Sequence, residues 1–227
     1  MPYDYDPNPV NPLPPVVIAL FFAIFGVECM FALGEAGLIG GPAAVGWRLG
    51  AIRDYGFSGQ AFDFMVENAR PLSEHLIRFL TYPFLHGGFT AALFAGVILL
   101  AMGKLVGEVM GQGAVVVIFF SATILGAIVF GLVTDEAWLI GGFPGVYGLI
   151  GGYTFLAWQQ LAGTGMRQLG AFRLIGILMA IQLIFGIFFQ VGYSWVAELS
   201  GFVVGFLVSP VLVKGGVARV LSRLRQR

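Results

Sequence analysis

Six stretches of this chain stay apolar long enough to cross hydrocarbon, which takes about 20 mostly apolar residues in a helix. They run roughly over residues 15–33, 78–102, 114–133, 140–161, 172–189 and 195–213. None shows the period-two alternation that a membrane barrel strand requires, so each reads as a helix. Composition agrees: 58% of the 227 residues are hydrophobic and 11% charged, against about 25% charged in soluble domains. A water-soluble globule and a disordered chain are both excluded. Twelve Lys and Arg against twelve Asp and Glu leave no net field to attract phosphate, so a nucleic-acid partner is not expected. The fold class is an all-α polytopic membrane protein whose first partner is the lipid bilayer.

Lys and Arg near span ends set the orientation. Lys214, Arg219, Arg223, Arg225 and Arg227 follow the last span, Arg167 and Arg173 lie between spans four and five, and Lys104 is read between spans two and three. The connections at 134–136 and 190–194 have neither residue type. Six spans with a cytoplasmic C-terminus place the N-terminus in the cytoplasm too, as expected in a plasma (inner) membrane. The opening residues carry six prolines, two aspartates and no Lys or Arg. They lack the basic start of a secretory signal and read as a stiff cytoplasmic tail, 1–14.

Residues 15–213 then form the membrane domain, and its first connection, 36–73, is too long for an ordinary loop. Its Trp47, Leu49, Ile52, Tyr55, Phe57, Phe62, Phe64 and Met65 suggest an element lying in the membrane interface. Arg48, Arg53 and Arg70 there are balanced by Glu35, Asp54, Asp63 and Glu67. The tail 214–227 places Val217, Val220, Leu221 and Leu224 on one helical stripe, with Arg219, Arg223 and Arg227 on the other face. That pattern is a basic amphipathic helix on the inner leaflet, or a docking element for a partner. One cysteine, Cys29, and two histidines, His75 and His86, leave no expected metal site and no disulfide framework, and no cofactor is expected.

Three segments together resemble the rhomboid superfamily of intramembrane serine proteases. The run from Arg78 to Gly87, R-F-L-T-Y-P-F-L-H-G with Thr81 and His86, looks like the family's R-x-x-T-Y-x-F-L-H-G entry to its second span. Gly103 and Glu108 follow, near the family's G-x-x-x-E but with one extra residue. In the fourth span, Gly141 to Tyr153 reads G-G-F-P-G-V-Y-G-L-I-G-G-Y, similar to G-A-S-G-A-I-F-G-L-L-G-A-Y. In the sixth, Ala197 to Gly205 reads A-E-L-S-G-F-V-V-G, similar to A-H-x-x-G-x-x-x-G. The resemblance implies a rhomboid-like bundle of six transmembrane helices, with a long interfacial loop between helices 1 and 2. Arg78, Thr81, Glu108, Gly141, Gly148, Gly201 and Gly205 would be its scaffold residues.

The glycines fit such a bundle on physical grounds. Helices in lipid associate by close packing, and small residues four apart let backbones approach. Gly201 and Gly205 form such a face on span six, and Gly141, Gly145, Gly148 and Gly152 form one or two on span four.

The resemblance also implies a serine on span four, a histidine on span six and oxyanion donors on span two. A serine hydroxyl is a poor nucleophile until a base takes its proton, and the tetrahedral oxygen needs preorganised donors. Here the serine position is Phe143 without a gap, or Pro144 with a one-residue gap. The histidine position is Glu198, and the donor positions are Ala91 and Ala95. Nucleophile, base and side-chain donors are thus all missing, which is the pattern of a rhomboid pseudoprotease. Phe143 is expected to fill much of the former cavity, and Ser200, two residues after Glu198, points away from it.

Glu28 and Glu198 lie within apolar runs, where an ionised, unpaired carboxylate costs about 2.5 kcal/mol or more. Hydration near the outer end of span one is the expectation for Glu28. For Glu198 the expectations are a hydrogen bond to Tyr147 or Tyr153, or a polar anchor for another protein's helix. With Phe143, Tyr147 and His86, these acids are the candidate cavity residues. Ion transport would call for more ionisable groups and repeated halves, and the sequence has no internal repeat.

The leading expectation is a non-catalytic protein that binds or stabilises helices of other integral membrane proteins. It would act as a client-handling scaffold or as a subunit of a larger membrane complex. The alternative is a rhomboid-family serine protease with a relocated site.

Overall fold

The computed structural model describes residues 12–68, 73–164, 167–188 and 192–213. Helix α1 (Pro15–Glu35) starts on a proline, whose fixed φ suits a first helical position. Its buried residues Val17, Leu20, Ile24, Glu28 and Phe31 recur every three or four positions and form one inward stripe. Val17 and Phe21 fill the space left by Gly103 and Gly96 on the neighbouring helix α6 (Phe89–Met110).

The long connection folds into a 3-10 turn (Pro42–Gly46), α2 (Trp47–Tyr55), β1 (Phe57–Ser58) and α3 (Gly59–Glu67). Ser58 caps α3 by accepting the Ala61 N–H at 3.3 Å. Leu38, Val45, Leu49, Phe64 and Val66 stay exposed along this segment, for which an element in the interface is expected. Phe57 and Phe62 depart from that expectation. They point inward and pack with Phe79, Tyr82 and Phe130, because β1 pairs antiparallel with β2 (Trp138–Leu139) and is pulled onto the bundle.

The second apolar run is broken where a continuous helix from residue 78 is expected. α4 (Ser73–Leu76) and α5 (Arg78–Thr81) lead into a 3-10 turn (Tyr82–Phe84), and only after Gly87 and Gly88 does α6 (Phe89–Met110) begin. Pro83 cannot donate a helical hydrogen bond, and Leu85 after the turn is extended, at φ −100° and ψ 128°. The helix then continues eight residues past the expected end at 102, so Lys104 is helical rather than in a loop and lies 3.8 Å from Glu108. The link to α7 (Gln112–Val133) is Gly111 alone, whose φ of 94° suits glycine.

α8 (Phe143–Thr164), a 3-10 turn (Gln168–Phe172), α9 (Arg173–Phe188) and α10 (Ser194–Leu212) complete the chain. α1, α6, α7 and α10 are long and apolar enough to cross a membrane by length and composition. α8 has 22 residues, but glycine replaces apolar bulk along its inner faces. α9 has 16 residues, short of the roughly 20 a straight span needs.

The two glycine-bearing helices meet face to face. A Cβ added to Gly205 would run into the Gly148 carbonyl oxygen, and one on Gly201 into that of Pro144. On α8 the partner face also includes Gly151, which abuts the Phe202 carbonyl. Gly145 and Gly152 turn instead toward Phe119 and Ile118 of α7, so α8 uses its small residues on two sides. The tails 1–11 and 214–227, with Arg219, Arg223 and Arg227, lie outside the described residues.

Candidate functional site

Between the start of α8 and α10 lies a cavity of about 300 Å³. His86 and Ala91 line it from the entry to α6, Trp138 and Leu139 from β2, Phe143 and Pro144 from α8, and Ser194 and Glu198 from α10. Phe143, Pro144, Glu198 and Ala91, which the resemblance aligns with the family's catalytic positions, therefore gather in one place. Ala95 is the exception: it is fully buried within the bundle and does not reach the cavity. Phe143 is half-buried and lines the cavity instead of filling it, with its ring 6.4 Å from that of His86. A phenylalanine at the first position of a helix has room to lie along the wall, so the space persists.

Glu198 is 5% exposed. Its carboxylate accepts a hydrogen bond from the Gln182 side-chain amide of α9, and the Tyr147 and Ser194 hydroxyls lie beside it. Tyr147, one expected partner, is a neighbour, but the bonded donor is Gln182. Tyr153 is not among the neighbours, because it is six positions beyond Tyr147 and displaced by more than a full turn along α8. Gln182, absent from the sequence expectations, is marked in the sequence as a single amide within an otherwise apolar run from 174 to 189. Ser200 donates to the Val196 carbonyl at 2.7 Å and takes no part in the site.

His86 is 2% exposed and its Nε2 accepts the Gly142 N–H at 3.2 Å. An acceptor Nε2 requires the proton on Nδ1, so the ring is neutral. Gly141, with φ of 100°, turns the chain beside this ring, and its N–H donates to the Tyr82 carbonyl at 3.0 Å. The break before α6 and the entry to α8 are thus tied together at the cavity rim.

Glu28 overturns the expectation of hydration. It is 1% exposed and takes both halves of the Arg48 guanidinium, Nη1 at 2.8 Å and Nη2 at 2.9 Å. Arg48 also donates from Nε to Glu35 at 2.7 Å and from Nη1 to the His86 carbonyl at 2.8 Å. Hydrogen bonds to Glu28 first and Glu35 second hold this guanidinium above its already high range. The cationic partner sits 20 residues away on α2, which reaches back over α1. Arg48 counts in the sequence only as a topological charge, yet a buried acid in an apolar run itself calls for a base.

The scaffold residues divide. Arg78 donates to the Gly56 carbonyl at 3.0 Å and stacks over Trp138 at 5.9 Å, and Thr81 donates to the Tyr55 carbonyl at 2.7 Å. Both fasten α5 to the link between α2 and β1. Glu108 is near the other end of α6 with Lys104 and meets neither. Among the described residues no three His, Cys, Asp or Glu side chains gather as a metal site.

Because Phe143 is half-buried, Phe143→Ser should cost about 1–2 kcal/mol, less than the 3–5 typical of truncating a fully packed phenylalanine. Denaturant titration in detergent would check this, and a cost above about 3 kcal/mol would mean the ring is core. A family model described as Rhomboid domain matches residues 73–215. No curated protein matches the chain.

Proposed function

The chain belongs to the rhomboid superfamily, and from that premise we propose that it is a non-catalytic member which binds or stabilises transmembrane helices of other proteins. It is a multi-pass membrane protein, and in this reading both termini are cytoplasmic in a plasma (inner) membrane, following its Lys and Arg. One observation supports the proposal: a cavity is lined by Phe143 and Pro144, where the resemblance expects a nucleophile, and by Glu198, bonded to Gln182, where it expects a base. A cavity that presents a few fixed polar groups between two helices is suited to holding a helix.

Affinity purification of the tagged protein from its own membranes in mild detergent, with stoichiometry by mass spectrometry, tests this. Many substoichiometric membrane proteins indicate client handling. One partner at a fixed ratio indicates a subunit, whose docking elements would be the interfacial segment and the basic tail. Glu198→Leu is expected to lower client recovery about fivefold, the worth of roughly one interhelical hydrogen bond, in protein that is less stable but still folded, since the Gln182 amide loses its acceptor. Unchanged recovery would remove the cavity as the contact.

A second reading, a protease with a relocated site, draws on Ser194, Glu198 and His86 lining one cavity. Its weakness is chemical. The His86 nitrogen that would act as base is already engaged by the Gly142 N–H, which leaves Ser194 without a free imidazole.

A further inference from the structure

The fold answers its two buried intramembrane acids differently. Glu28 holds the Arg48 guanidinium through two bonds. Glu198, 5% exposed, meets only neutral groups among the described residues: the Gln182 side-chain amide, with the Tyr147 and Ser194 hydroxyls beside it. No Lys, Arg or His of those residues forms an ion pair with it, and His86, which shares the cavity, is neutral. An ionised carboxylate taken out of water calls for a counter-charge.

Space for that charge lies next to the acid. Ser194 opens α10, and Glu198 follows four positions later on the same helical face. Along the cavity lining, exposure falls from Gly87 and Trp138 (43%) at the mouth, through half-buried Ser194 and Phe143, to Glu198. The volume of about 300 Å³ is at the lower end of small-molecule sites, and Trp138, Leu139, Ile140, Phe143 and Pro144 give it apolar walls. Arg78 covers one face of Trp138 at 5.9 Å and does not line the cavity, so charge selection falls to Glu198.

We infer that this cavity binds a small organic ammonium, whose N–H groups bond Glu198 and the Ser194 hydroxyl while its apolar body lies against Trp138 and Phe143. A primary ammonium has three donors and no acceptor, which suits a carboxylate beside a hydroxyl oxygen. The ligand is a free molecule and no part of a membrane span, so the site stands or falls independently of helix binding.

The test uses the full-length protein in phosphatidylcholine nanodiscs, with benzylamine and its neutral counterpart benzyl alcohol as probes. Saturation-transfer NMR, corrected for empty nanodiscs, reports binding. Wild type should hold the amine about tenfold more tightly than the alcohol, because a hydrogen bond between charged groups outweighs a neutral one. Glu198→Gln should bring the amine down to the level of the alcohol. Ala91→Phe, which crowds the cavity from α6 and leaves the Gln182 bond in place, should abolish binding of both, and it decides the matter if Glu198→Gln does not fold. Equal binding of amine and alcohol by wild type would overturn the ammonium site. A preference for the amine that survives in Glu198→Gln or Ala91→Phe would put the ammonium elsewhere and overturn it too. Binding of neither probe would overturn the cavity as a small-molecule site.

Discussion

Arg48→Met is expected to destabilise the protein by about 3–5 kcal/mol, the cost of leaving one member of a buried ion pair without its partner. The guanidinium holds Glu28 through two bonds, Glu35 through Nε and the His86 carbonyl through Nη1. Without it, a carboxylate only 1% exposed has no counter-charge, and the interfacial segment loses its link to α1. The methionine keeps the apolar stem over Phe31, where the guanidinium carbon now sits 5.3 Å from the ring centre. The loss is therefore electrostatic more than steric. Adding Glu28→Gln should recover most of the stability, since removing both charges of a buried pair is often near neutral. Equilibrium unfolding in detergent micelles checks both variants. A single-variant cost under about 1 kcal/mol would mean the triad is hydrated. Because His86 in turn holds the Gly142 N–H, the same variant should loosen the cavity rim, and client recovery should fall with stability.

Gly205→Val should be at least as damaging. Any Cβ at that position would meet the Gly148 carbonyl, and at Gly201 the Pro144 carbonyl. Overpacking typically costs about 1–3 kcal/mol when side chains can shift. Here the obstacle is backbone, so α8 and α10 must separate and the cost should exceed that range. The expected result is little folded protein from Gly205→Val and a clear loss in Gly201→Ala. Gly26→Ala on α1, where a Cβ meets nothing within 4 Å, should be silent or slightly stabilising. A folded Gly205→Val protein of wild-type melting temperature would contradict the close approach of the two helices.

What could be read in advance follows physical lines. Spans announce themselves because hydrocarbon thickness sets a length and an apolar content, so α1, α7 and α10 lie within two residues of expectation at each end. The break at Tyr82–Gly88 was hidden by surrounding apolarity: Pro83 and the paired glycines punctuate the chain, but hydropathy averages them away. Gly148, Gly201 and Gly205 were legible as a packing face because small residues four apart have one strong use in lipid. Gly151 was harder, since its face is defined only once the α8–α10 crossing is known. The cavity position of Phe143, Glu198 and Ala91 followed from motif register. Arg48 and Gln182 did not, because each acts through partners 13 or more residues away on another element, and no local pattern carries such a pairing. The orientation of Phe57 and Phe62 failed for the same reason: β1 meets β2 about 80 residues later.

The measurement that bears most directly on the non-catalytic reading is labelling of the reconstituted protein with a fluorophosphonate that modifies activated serines, followed by intact-mass analysis. The account predicts unmodified protein, with Ser194 inert beside Glu198 and no cleavage of a rhomboid reporter by wild type or by Phe143→Ser. A single phosphonate adduct that disappears in Ser194→Ala would contradict it and make the cavity an active site.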